Sequence, residues 1–254
     1  MRYFLEFAYK GTRYHGWQYQ PNACSVQETI NHALSTLLRE NIDVLGAGRT
    51  DAGVHAKQMF AHFDTEKEIV EPVFIKKLNS FLPKDIAVFK IHKVAVDAHA
   101  RFDANARTYE YYIHQQKNAF ECDDSWFFPY PLHLELMNSA CAILMKYTDF
   151  ECFSKTNTDV NTFNCTITKA FWIKKEEQLV FTISADRFLR NMVRAIVGTM
   201  INIGQEKVSL QQFRAIIESK NRSKAGFSVP AHGLYLTQVT YPYITNLNTQ
   251  KNES

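Results

Sequence analysis

Segment 44–56 reads VLGAGRTDAGVHA and puts Arg49, Asp51 and His55 on one loop with three glycines. A glycine-rich loop often cradles a phosphate, yet this one carries an acid at its centre. A dinucleotide fingerprint needs glycine in the last place of GxGxxG, where GAGRTD has Asp51, and a carboxylate there repels a pyrophosphate. The Lys-Ser/Thr of a phosphate-binding P-loop is missing, and so is the second Asp-Thr/Ser/Ala-Gly of an aspartic-protease dyad. A divalent metal wants several oxygen ligands, and Asp51 has no acidic neighbour. What remains is one carboxylate beside one guanidinium on a backbone that glycine lets a ligand approach. A lone ionised Asp facing a substrate suits nucleophilic or general-base work. On this loop alone, a capped turn closed by an Arg49–Asp51 ion pair is an equal alternative.

Other segments tilt that balance. GTRYHGWQ (11–18) is too rich in aromatic and polar types for a simple turn; its Trp17 is either a core anchor or a nucleotide platform. ARFDANARTY (100–109) brings Arg101 and Arg107 to the flanks of an expected cleft, with Tyr109 heading a strand where it stacks on a base or fills the core. MVRAIVG (192–198) sets Arg194 in an apolar helix. A buried cation calls for a carboxylate partner, and Asp51 across the cleft would supply it. His55 is read as an RNA contact or a hydrogen-bonding buttress of the loop. From Arg187 to Lys224 eight basic residues face only Glu206 and Glu218, a phosphate-binding face or a solvated helix surface.

The elements that must position these groups follow from periodicity. Alternation predicts strands over 2–10, 57–63, 86–92, 107–114 and 234–241, with a short strand at 43–45. Ser25-Val26-Gln27-Glu28 reads as a capping box before a helix with Ile30, Leu34 and Leu38 on one face. Pro72 suits the first turn of a helix with apolar face Phe74, Leu78, Phe81 and Leu82, ended by Pro83. The second half predicts a helix over 134–145, a hairpin of 166–174 with 179–185, and a helix with Phe188, Met192, Ile196, Met200 and Ile203 on one face and Gly204 at C′. Ser209-Leu210-Gln211-Gln212 opens an extra helix. The order β-α-β-β-α-β thus occurs twice. It predicts an α+β fold of two ferredoxin-like halves, residues 1–104 and 105–244, each a mostly antiparallel sheet with helices on one face and a cleft between them, followed by a polar tail at 245–254.

Composition narrows the class. The 254 residues are 46% hydrophobic and 22% charged, with net charge +3, a globular balance that permits nucleic-acid binding without demanding it. No apolar run approaches the roughly 20 residues of a membrane helix, and the N-terminus lacks a signal-peptide pattern, so a soluble, cytoplasmic protein is expected. The five cysteines form no CxxC pair and the nine histidines no metal-binding cluster; no metal is expected.

Taken in order, GTRYHGWQ, GAGRTDAGVHA, ARFDANARTYEYY, FLRNMVRAIVG and AGFSVPAHGLYL resemble the TruA-type tRNA pseudouridine synthases across nearly the whole chain. The resemblance implies isomerisation of uridine to pseudouridine at tRNA positions 38, 39 and 40 in the anticodon stem-loop, without cofactor or metal, by a homodimer that shares one tRNA. It implies Asp51 as the catalytic carboxylate, paired with Arg194. Tyr109 would pack on the flipped uracil and assist proton removal from C5, Arg49 would fill the vacated stack or hold a phosphate, and Arg101 and Arg107 would contact RNA. This sequence departs from the family pattern at Lys10, where many members carry Asp, in the loose segment 151–154, and in a less basic 161–167. The competing readings are a non-catalytic RNA-binding module, which would not need Asp51, and a nucleotide-binding metabolic enzyme, which Asp51 and the missing P-loop lysine disfavour.

Overall fold

The structure, a computed structural model, describes residues 1–156 and 160–244. The strands are β1 (Arg2–Tyr9), β2 (Leu45–Gly46), β3 (His55–Asp64), β4 (Ile86–Val94), β5 (Ala106–His114), β6 (Trp126–Phe127), β7 (Ile167–Lys175), β8 (Gln178–Ala185) and β9 (Leu234–Thr240). The α-helices are α1 (Val26–Leu38), α2 (Glu71–Phe81), α3 (Leu134–Leu144), α4 (Met192–Gly204) and α5 (Leu210–Glu218). Among the described residues no helix is long and apolar enough to cross a membrane. The expected tail at 245–254 lies outside the described residues.

The strands form one mixed sheet in the order β4-β1-β3-β9-β5-β8-β7, with β2 pairing β3 and β6 pairing β5. Every named strand pair is antiparallel except β3–β9 and β5–β6. The expected pair of sheets is therefore one continuous sheet. Its seam is the parallel contact of β3 with β9, where His55 lies opposite Tyr235 and Ala56 opposite Leu236. Two buried clusters flank the seam. One gathers β1, β3 and α1 around Phe4, Phe7 and Ile30; the other gathers α3, α4 and the β7–β8 hairpin around Trp172, Phe181 and Met200. Tyr109 packs against both.

Local chemistry explains most of the element boundaries. Ser25 Oγ accepts from the Glu28 amide at the start of α1, and Ser209 with Gln212 closes a full reciprocal box at the start of α5. Other expectations shift. The strand predicted at 43–45 forms at Leu45–Gly46. Phe81 is exposed rather than part of the buried face of α2, where Leu78 is the buried residue. Gly204 is the last residue of α4, not C′; an added Cβ would stand 2.6 Å from Met137 Sδ, so close packing rather than left-handed backbone needs it. The left-handed position belongs to Glu206, φ 60°. Phe188 precedes α4 instead of lying on it. Strand β6 is too short to leave a periodic signal.

Candidate active site

The loop 47–54 runs from β2 into β3 and so arrives at the seam of the sheet. Segment 11–17 holds it from below. The Thr50 carbonyl accepts from the Trp17 amide (3.3 Å), the Tyr14 carbonyl accepts from the Gly53 amide (3.2 Å), and the Tyr9 and Thr50 hydroxyls are hydrogen-bonded at 2.9 Å. Gly16 makes this approach possible: its φ is +93°, and an added Cβ would lie 2.4 Å from the Thr50 carbonyl oxygen. Trp17 is buried against Phe7 and over Gly46, where an added Cβ would meet its ring at 2.5 Å. Trp17 is thus a core anchor. Of the three loop glycines, Gly46 serves Trp17 and Gly53 takes φ +78°; only Gly48 both faces the cavity and has open space at its missing Cβ.

Asp51 sits near the middle of this loop with its carboxylate turned toward α4. Arg194 Nη1 donates to Asp51 Oδ2 at 3.3 Å across 143 residues of chain, and Arg194 Nε donates to the Val229 carbonyl at 2.7 Å. The Val229 bond aims the guanidinium. It depends on close packing of the 226–230 segment on α4, where a Cβ on Gly198 would fall 1.9 Å from the Phe227 carbonyl oxygen. Arg190 Nε approaches the other carboxylate oxygen, Oδ1, at 3.9 Å. Arg49 is exposed, and the Arg49–Asp51 pair gives way to these two partners.

Against the 47–50 part of this loop lies a cavity of about 70 Å³, lined by Gly48, Arg49, Thr50, Arg107, Tyr109 and Phe188, with Leu236 and Val239 contributed by β9. Tyr109 and Phe188 meet edge to face, centroids 5.1 Å apart at 88°. Burial pushes the Tyr109 phenol up to about 12, with Arg107 pulling the other way and Asp51 adding to the rise, so the ring carries a neutral hydroxyl at pH 7.

Two expected RNA contacts have other work here. His55 is buried: its Nδ1 accepts from the Gly11 amide (3.0 Å) and its Nε2 donates to the His232 carbonyl (3.0 Å), while the ring stacks on Tyr235. Both nitrogens are spent on the protein and burial lowers its pKa, so His55 buttresses the loop and has no nitrogen to offer RNA. Arg107 donates to the carbonyls of Ala104, Asp186, Ala47 and Arg101 at 2.6–3.0 Å. Its guanidinium clips three chain segments together instead of standing free for a phosphate. Arg101 is exposed with its guanidinium over the Phe102 ring, accessible to a polyanion. Lys10, the departure from the family pattern, pairs with Asp124 at 2.7 Å and so ties β1 to the 115–125 segment.

Phe188 and Arg190 are the site residues that sequence reasoning missed. An aromatic on a helical spacing reads as core, and a cation in a basic stretch reads as surface; the turn before α4 brings Arg190 beside Asp51 and Phe188 to the cavity wall.

The chain matches the family model described as tRNA pseudouridine synthase over residues 7–103 and 143–242. It is similar to proteins named tRNA pseudouridine synthase A: 52% identical over 242 residues to that of Parabacteroides distasonis, covering 95% of this chain and 96% of the relative. The corresponding values are 53% over 243 residues, 95% and 96%, for Bacteroides fragilis, and 39% over 239 residues, 93% and 98%, for Clostridium acetobutylicum.

Proposed function

The chain belongs to the tRNA pseudouridine synthase family, and we propose that it isomerises uridine at positions 38, 39 and 40 of the tRNA anticodon stem-loop with Asp51 as the catalytic carboxylate. The observation that carries the assignment of Asp51 is its contact with Arg194, a cation anchored on Val229 beside a cavity walled by Tyr109 and Phe188.

The reaction breaks the C1′–N1 bond, turns the uracil and joins C5 to C1′. A proton leaves C5 and one arrives at N1, so composition and redox state are unchanged and the chemistry calls for no cofactor. The base must leave the stack for a protein group to reach C1′ or C6. Asp51 then attacks C1′, adds to C6, or takes a ribose proton toward a glycal; all three use an ionised carboxylate, which the Arg194 cation favours. Tyr109 packs on the flipped uracil as a neutral phenol. Its raised pKa suits stacking and works against direct removal of the C5 proton. Arg49, exposed at the cavity, holds the flipped nucleotide or fills the gap it leaves, and Arg101 contacts the RNA backbone.

The wider reading is of two ferredoxin-like halves, 1–104 and 105–244. Its support is strand order: β4-β1-β3-β2 on one side of the seam and β9-β5-β8-β7 on the other repeat the same arrangement of fourth, first, third and second strand. The active unit is a homodimer with one tRNA touching both subunits, as the family resemblance implies, and a tRNA substrate puts its site of action in the cytoplasm. Incubating the purified protein with unmodified tRNA, without ATP, NAD or added metal, and mapping pseudouridine by carbodiimide modification and primer extension tests the assignment. Product at 38, 39 or 40 is expected; product at none of them defeats it.

A further inference from the structure

Asp51 has two cationic neighbours of different character. Arg194 is held within hydrogen-bond reach, grows from α4, and has a side chain 20% exposed. Arg190 Nε stands 3.9 Å from Asp51 Oδ1, too far for a hydrogen bond, and its side chain is 60% exposed. Among the described residues the Arg190 guanidinium makes no hydrogen bond, yet its backbone is well fixed. Its carbonyl accepts from the Lys155 amide at 3.1 Å. The next residue, Asn191, takes a left-handed φ of 66° and donates from Nδ2 to Ser228 Oγ at 2.6 Å. The root of the side chain is clamped, and its end is held only by the loose approach to Asp51, two residues from the cavity wall at Phe188.

Granting the tRNA uridine reaction proposed for this site, we infer that Arg190 is a positioning residue that exchanges Asp51 for the phosphodiester flanking the flipped uridine. A carboxylate with a cation over each oxygen is a poor nucleophile or base. An exposed pair at this separation is weakly held, whereas a phosphate offers a guanidinium short charge-assisted hydrogen bonds. Entry of the RNA therefore draws Arg190 off Asp51. Oδ1 is uncovered as the nucleotide arrives, while Arg194 keeps Oδ2 aimed. Without RNA the carboxylate stays masked; with RNA the same arm sets the nucleotide's depth.

The test is a double cycle in single-turnover rate, using tRNA assembled with one neutral methylphosphonate linkage on the 5′ or the 3′ side of the target uridine. The expected result is that one of the two linkages slows the wild-type protein about 10- to 100-fold. Arg190→Gln is slowed similarly on natural tRNA and not slowed further by that linkage, and Arg190→Lys keeps most of the wild-type rate. A wild-type rate for Arg190→Gln, or losses that multiply at both linkages, overturns the inference. If Arg190→Gln shows a collapsed thermal transition, the wild-type arm decides, and no loss at either linkage overturns it. Failure of the wild-type protein to modify natural tRNA is a different result and defeats the isomerase reading itself.

Discussion

In the proposed reaction Asp51, Arg194 and Tyr109 divide the chemistry among charge, aim and packing. Arg194 is fixed by the Val229 carbonyl before any substrate arrives, so its contribution to Asp51 is built in. Removing it leaves a partly buried carboxylate without its anchored cation, a loss of about 2–5 kcal/mol. Arg194→Ala is accordingly expected to lower kcat/KM at least about 30-fold, measured by pseudouridine formation on tRNA, and near-wild-type turnover would contradict the pairing. Tyr109 works through its ring. Because a phenol is already protonated at pH 7 and burial raises its pKa further, Tyr109→Phe should retain most activity while Tyr109→Ala loses it; an inactive Phe variant would point to the hydroxyl instead. Asp51 and Arg194 stood out in the sequence because a carboxylate among glycines and a cation in an apolar helix each break a local rule; Tyr109 breaks none and was singled out by the family resemblance. Arg190 and Phe188 break none, and only the left-handed turn at Asn191 gives them their place.

At the scale of elements, the site depends on how the loop 47–54 is held. Segment 11–17 supports it from one side, and Arg107 at the head of β5 clips it from the other through the Ala47 carbonyl. Arg107 also ties Arg101, Ala104 and Asp186, so its removal is a structural event. Arg107→Ala is expected to cost about 2–4 kcal/mol, a drop in Tm of roughly 5–10 °C, with little change in the salt dependence of tRNA binding. Arg101→Ala should do the reverse: an unchanged Tm and a salt slope lower by about one unit. Thermal melts and binding isotherms at several salt concentrations separate the two, and a salt slope that falls only with Arg107 would contradict the assignment. The helices and long strands were legible because their apolar periods are strong and their caps are local. The use of Arg107 was not, because all four of its acceptors are backbone carbonyls, two of them, Ala47 and Asp186, on segments far away in the chain.

The whole molecule is a single sheet joined at a narrow seam, and the site lies where the two hydrophobic clusters meet. The repeated element order could be read from the sequence; the pairing of β3 with β9 could not, since two residue pairs of parallel strand leave no periodic trace. Buried histidines make global stability acid-sensitive, and His62 has a large share in this. His62 on β3 is buried, accepts from the Ala100 amide, and has its pKa lowered to about 4, chiefly by burial and then by His99 and Arg2. The folded state thus favours neutral His62. The stability this confers is fully present above the unfolded value near 6.5 and is lost as pH falls from there through about 4. His62→Gln should flatten the fall of Tm across that window; an unchanged slope would place the acid sensitivity elsewhere. The catalytic role of Asp51 is tested most directly by comparing Asp51→Asn with the wild-type protein for tRNA affinity and for pseudouridine by carbodiimide modification and primer extension. The expected result is near-wild-type binding with no pseudouridine; product formed by the variant at the wild-type rate would contradict the account.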